Sequence, residues 1–234
     1  MGTPFLEVRD LHGWYGESHV LHGVDLHVDE GEVVTLLGRN GAGRTTTMRA
    51  IMGLTGARKG SIKVKGVETI GLPTHKVARL GLGYCPEERG IFASLSAAEN
   101  LALLPRLGPG GMSEAAIYEM FPNLLARRRS PGGRLSGGEQ QMLAMARILR
   151  VGARLLLLDE ISEGLAPVIV EKLGQTVGSL REQGYTIVMV EQNFRFAAPL
   201  ADRFMVMEHG RVIQAFSQAE LPARMERLHE YLGV

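Results

Sequence analysis

Three short stretches hold residues whose types and spacing can do chemistry. The first is residues 38–46, Gly-Arg-Asn-Gly-Ala-Gly-Arg-Thr-Thr. Its glycines let backbone N–H groups turn toward an anion, and the helix expected next adds the partial positive charge of its N-terminus. That is the composition of a phosphate cradle, with Gly38, Asn40, Gly41, Ala42, Gly43, Arg44, Thr45 and Thr46 as candidate binding residues. The usual pattern is Gly-x-x-x-x-Gly-Lys-Ser/Thr. Every position fits except the lysine, which here is Arg44. The second stretch is Asp159-Glu160, which follows four leucines at 155–158. The Thr45 hydroxyl and the Asp159 carboxylate, the latter through water, could hold one Mg²⁺, and Glu160 could polarise an attacking water. Alone, Asp159-Glu160 reads equally well as a turn that closes a strand. The third stretch, residues 135–141, is Leu-Ser-Gly-Gly-Glu-Gln-Gln. Ser136 and the N–H groups of Gly137 and Gly138 would open a helix and form a second anion site. A serine cap accounts for the helix start. It does not account for two adjacent glycines where helix propensity is lost.

These residues need elements to position them. An apolar run at 32–37 leads into the glycine loop, and residues 45–52 read as the helix after it, closed by Gly53. Before it, residues 5–11 and 20–28 alternate apolar with polar residues, as half-buried strands do. His22, Asp25 and His27 interleave with Leu21, Val24, Leu26 and Val28, which puts them on an exposed face rather than around a metal. Between these strands lies Trp14-Tyr15-Gly16, read as a packed turn aromatic or as a stacking surface for an adenine. Further strands are expected at 60–64, 82–85, 155–158, 186–190, 204–208 and 212–216. Helices are expected at 74–80, 97–104, 113–121, from about 137 to 149, and at 168–183 after Pro167. The turn Pro109-Gly110-Gly111 separates two of them. No strand candidate lies between Cys85 and Leu155, which implies a helical insert in an α/β domain.

Composition narrows the function. The chain has 234 residues, a net charge of +1 and one cysteine. That length supports a sizeable core, and the charge gives no basic excess of the kind a general nucleic-acid binder carries. A single thiol, Cys85, excludes an internal disulfide and is expected to be buried. No window approaches a membrane span, and the charged start is unlike a signal peptide. The expectation is a cytosolic chain that meets a membrane only through a partner.

A phosphate loop followed by an apolar strand ending in Asp is the arrangement of P-loop nucleotide hydrolases. With residues 135–141 added, the chain resembles the ATP-binding-cassette (ABC) ATPases over essentially its whole length. The resemblance implies an α/β P-loop ABC ATPase domain, with a mainly parallel sheet, an antiparallel edge sheet and a helical subdomain. The core would span residues 1–87 and 151–234, and the helical subdomain residues 88–150. ATP and Mg²⁺ would be the cofactors. Thr45, Asp159 and Glu87 would attend the metal, and Glu160, Gln192 and Arg44 the reaction. Tyr15 would stack on adenine. Ser136, Gly137 and Gly138 would close over ATP held by the opposite subunit of a head-to-tail dimer, and the loop 162–166 would cross that interface.

Two positions depart from the general family pattern, Glu87 for a glutamine and Gln192 for a histidine. Together with residues 86–92, 135–144, 162–167 and 190–193, they resemble the ATPase subunits of branched-chain amino acid importers, whose relatives serve urea and short amides. That resemblance implies a homo- or heterodimer on the cytoplasmic face of the inner (plasma) membrane. It would be peripheral, bound to integral permease subunits and served indirectly by a substrate-binding protein, with no nucleic-acid partner. Arginine at position 44 keeps the charge but is longer and planar, so a slowly hydrolysing or purely ATP-gated subunit stays open beside an active ATPase. A soluble ABC ATPase of DNA repair or translation is disfavoured, because the chain has neither a long coiled-coil insert nor a second cassette.

Overall fold

The computed structural model describes residues 4–107 and 110–232. Its centre is a six-stranded sheet in the order β10-β9-β3-β8-β7-β6. The parallel members are β3 (Val33–Leu37), β6 (Leu82–Cys85), β7 (Leu155–Asp159), β8 (Thr186–Val190) and β9 (Arg203–Glu208), and β10 (Arg211–Ser217) joins antiparallel at the edge. β3, β7 and β8 are buried along their whole length. That is why they read as continuous apolar runs rather than alternating ones. The four leucines at 155–158 are fully buried, and each such burial is worth about 2 kcal/mol.

Alternate residues of these strands face two different cores. Val33, Leu156, Leu158, Ile187 and Met189 pack toward α3 (Ala97–Ala102), α4 (Glu114–Met120), α5 (Pro122–Ala126), α6 (Gly137–Val151) and α7 (Pro167–Glu182). Val34, Leu36, Leu155, Leu157, Val188 and Val190 pack toward α1 (Arg44–Met52) and a second sheet. That sheet is antiparallel, in the order β2-β1-β4-β5, from β1 (Leu6–Tyr15), β2 (Ser18–Val28), β4 (Ala57–Val64) and β5 (Val67–Glu68). The remaining helices are α2 (Thr74–Ala78), α8 (Phe194–Ala197) and α9 (Leu221–Leu232). The expected strand–helix alternation, the parallel sheet and the antiparallel strands toward the chain ends are all present. Between β6 and β7 the described residues form helices and turns, with one isolated bridge from Ser96 to Pro131.

Several local expectations shift. β1 runs on to Tyr15, so Trp14 and Tyr15 are strand residues paired with His19 and Ser18, and the turn is Gly16-Glu17. α3 stops at Ala102 instead of 104, because Leu104 precedes Pro105 and that position disfavours helix. α2 ends at Ala78 instead of Leu80. α5 was not expected; it starts on Pro122, which fits a first helical position. Of the turn Pro109-Gly110-Gly111, Pro109 lies outside the described residues. Asp25 and His27 are exposed as expected, whereas His22 is half-buried against the His19 ring. The Cys85 thiol is buried, accepts from Gln141 Nε2 at 3.3 Å, and is pushed up to about 12, chiefly by burial.

Candidate functional site

The strand ends set the site. In the register across the sheet, Leu36 pairs with Val190 and Asp159 pairs with Val190. The carboxyl ends of β3, β7 and β8 are therefore level, which is where open parallel sheets hold ligands. The chain leaving β3 forms the glycine loop; the chains leaving β7 and β8 begin with Glu160 and Glu191.

The loop keeps its shape because two glycines allow it. Gly38 has φ +153°, and a Cβ there would lie 2.4 Å from the Met207 carbonyl. Gly43 has φ +100° and caps α1, where a Cβ would meet Leu21 and Gly210. α1 has no side-chain cap, and its first turn carries no acidic residue of its own; the carboxylates that meet it come from the end of β7. A cavity of about 310 Å³ is lined there by Val20, Asn40, Gly41, Gly43, Arg44, Thr45, Thr46, Glu87, Glu160 and Glu163.

Thr45 Oγ1 donates to Asp159 Oδ1 at 3.0 Å, and the Tyr84 hydroxyl donates to Asp159 Oδ2 at 2.8 Å. Asp159 is fully buried, and burial raises its carboxyl, opposed by the two hydroxyl contacts and by Arg49 and Arg44. Two hydroxyls orient this carboxylate but do not neutralise it. Hard oxygen donors at this spacing fit Mg²⁺. Tyr84, which sequence reasoning passed over, is itself held protonated by burial and the neighbouring Asp159.

Arg44 is almost closed to solvent. Its Nη1 donates to the Glu191 backbone oxygen at 3.0 Å; its Nη2 donates to Asn40 Oδ1 at 3.1 Å and to Glu160 Oε1 at 2.9 Å. Of the five N–H donors of a guanidinium, Nε–H and one on Nη1 stay open to a further acceptor among the described residues. Glu160 has φ +48°, a left-handed conformation that costs a non-glycine residue about 1–2 kcal/mol. Its N–H is anchored on the Val190 oxygen at 2.8 Å. Its carboxyl is raised to about 8, first by burial and then by a hydrogen bond shared with Glu163, while Arg44 pulls it down.

Glu87 is exposed and joins Glu160 and Glu163, their carboxylates lying within 4.8 Å of one another. Burial first, then Glu163, raises its carboxyl. The structure thus gathers Asn40, Gly41, Gly43, Arg44, Thr45, Thr46, Glu87 and Glu160 around one cavity. Asp159 sits directly behind Thr45. Tyr15, Gly38, Ala42, Gln192, Ser136, Gly137 and Gly138 do not line it. Tyr15 stands at the exposed end of β1. Gln192 lines an adjoining cavity of about 930 Å³, with Glu160, Glu163, Glu191 and the start of α7, so Glu160 and Glu163 border both.

Ser136 caps α6 in a capping box with Glu139. One of the adjacent glycines also has a packing reason that the sequence hid. A Cβ at Gly138 would stand 2.7 Å from Ile169 Cγ2, and one at Gly137 would meet the Arg89 guanidinium at 3.2 Å.

A level parallel sheet with a glycine loop on a helix N-terminus, and a Thr–Asp pair behind it, defines a P-loop nucleotide hydrolase. Residues 21–163 match the family model described as ABC transporter, and the chain belongs to that family. It is an ATPase of the ABC cassette type. It is 39% identical over 229 residues to the high-affinity branched-chain amino acid transport ATP-binding protein BraG of Pseudomonas aeruginosa, covering 94% of this chain and 96% of that one. It is 34% identical to the lipopolysaccharide export system ATP-binding protein LptB of Acidithiobacillus ferridurans, covering 99% of this chain and 98% of that one. A solved structure of an ATP-binding subunit of an ABC transporter superposes with a TM-score of 0.81 at 27% identity, covering 98% of this chain and all of that one.

Proposed function

We propose that this chain is the ATPase subunit of an importer for branched-chain amino acids, working as a homo- or heterodimer on integral permease subunits at the cytoplasmic face of the inner membrane. The observation that carries hydrolysis is the Thr45–Asp159 hydrogen bond beside Glu160, with Thr45 and Glu160 lining the loop cavity. The substrate class is supported by the BraG relative, which matches over nearly the full length of both chains.

In this reading the loop amides, Thr46 and Arg44 hold the phosphates. Arg44 does so through its two open N–H groups, keeping its ties to Asn40, Glu160 and Glu191. Thr45 and Asp159 hold Mg²⁺, with Glu87 nearby; the ion supplies charge neutralisation at the phosphate oxygens. Glu160 takes the proton of the attacking water, and Gln192 orients the far side of the reacting phosphate. Tyr15 stacks on the adenine. Ser136, Gly137 and Gly138 serve the nucleotide of the opposite subunit, which accords with their absence from the lining of this chain's own cavity. Residues 88–150 act as a helical subdomain that carries this segment and meets the permease, while residues 1–87 and 151–234 form the core.

Two other readings have specific support. The Arg44–Glu160 ion pair favours a slow hydrolyser, because a guanidinium on the base competes with water for it. The LptB relative spans as much of the chain as BraG does, so transport of another cargo, urea and amides included, is the alternative. Isolation of the native complex from membranes, identification of its subunits and assay of ATP-dependent uptake separate these. Leucine uptake supports the importer proposed here; urea uptake, or co-purification with export subunits, replaces it.

A further inference from the structure

Glu191 is the first residue beyond β8, yet it is 1% exposed. Its side chain turns inward to the neighbouring strand's exit. There, Glu191 Oε2 accepts from Ser162 Oγ at 2.7 Å and Oε1 accepts from the Ser162 N–H at 3.2 Å. Its backbone oxygen accepts from Arg44 Nη1. One residue thus grips the root of the loop after Glu160 with its side chain and the phosphate-loop cation with its main chain. The root, Ile161 and Ser162, is buried, while the tip, Glu163 and Gly164, is exposed. A buried carboxylate is costly, and two hydrogen bonds from one serine offset only part of that cost.

We propose that Glu191 is a positioning residue that fixes loop 161–166 relative to Arg44, and so sets the face which that loop presents to the second ATPase chain. The inference rests on the dimeric ATPase reading above. Burial first raises the Glu191 carboxyl, to about 7, while Ser162 and Arg44 pull it down. The grip therefore weakens as the carboxylate gains a proton and loses an acceptor for Ser162.

The test compares the purified complex with Glu191→Gln, Glu191→Asp, Ser162→Ala and the Glu191→Gln/Ser162→Ala double variant. KM for Mg-ATP should stay within about twofold while kcat falls by about tenfold, because misplacing a positioned loop costs the reaction more than binding. The double variant should be no worse than either single one. Glu191→Asp, which keeps the charge one methylene shorter, should recover part of the loss. A pH step in kcat near 7 should disappear in Glu191→Gln. Hydrogen exchange at amides 161–166 should quicken in Glu191→Gln and Ser162→Ala while amides of β8 stay protected. Unchanged kcat and exchange, or additive losses, overturn the proposal. If Glu191→Gln does not fold, Ser162→Ala carries the same kcat and exchange readouts. A parent complex without turnover would sink the ATPase reading, yet the exchange comparison would still decide whether Glu191 orders this loop.

Discussion

Arg44 Nη2 donates to Glu160 Oε1 at 2.9 Å, and the two side chains are 4% and 10% exposed. The residue that replaces the usual phosphate-loop lysine is thus bonded to the carboxylate expected to activate water. A lysine ammonium is a compact point charge and could not reach Asn40, Glu160 and the Glu191 oxygen together. Arginine makes phosphate loop, β7 and β8 into one bonded unit.

That geometry makes two Arg44 variants informative. Arg44→Lys should turn over ATP within about tenfold of the parent, a barrier change of about 1.4 kcal/mol. Arg44→Ala should lose Mg-ATP affinity and destabilise the fold by about 3 kcal/mol, because Glu160 is left without its buried partner. Phosphate release and urea unfolding measure both. A nearly inactive parent rescued by lysine would show that arginine blocks the site.

Glu160→Gln should bind Mg-ATP but turn it over roughly 10²–10⁴-fold more slowly, the usual range for losing a positioned base. Turnover of the parent should rise with pH toward about 8, because the raised Glu160 carboxyl must be ionised to accept a proton. Turnover that falls over this range, or a glutamine variant of normal rate, removes Glu160 from the base role.

Stability should run the other way with pH. Glu191 ionises at about 7 in the fold against an ordinary value of 4.5. Its contribution is therefore fully present below 4.5 and is lost as pH rises through 7. Urea midpoints of the parent should decline across that window, and Glu191→Gln should flatten the decline.

Tyr84→Phe removes the donor to Asp159 Oδ2, leaving that buried oxygen unpaired. A loss of about 1.5 kcal/mol is expected, readable as a lower unfolding midpoint. A midpoint equal to the parent's would mean that water replaces the hydroxyl.

Two alanine substitutions in the glycine loop should differ sharply. Gly38→Ala sets a Cβ against the Met207 carbonyl and should abolish ATP binding with a marked fall in Tm. Gly41→Ala, at φ +82° but in open space, meets only backbone strain and should be milder. Equal effects in nucleotide titration and thermal unfolding would refute the packing argument.

The residues of one segment were legible in the sequence. The phosphate loop, the serine-capped helix from about 137 to 149, the buried leucine strand and the Asp159-Glu160 pair are each written in consecutive residues, because period, capping and glycine requirements are local. The ABC family followed from their order along the chain. What the sequence left open are the partners of those residues. Arg44 meets Glu160 across 116 positions and the Glu191 oxygen across 147, and Tyr84 meets Asp159 across 75. Strand pairing brings such residues together, by levelling the ends of β3, β7 and β8 and by setting β6 beside β7. The same holds for Gly138, whose need for glycine comes from Ile169 on another helix. Local chemistry specified which groups the site contains; the parallel packing of strands distant in sequence decided which of them touch.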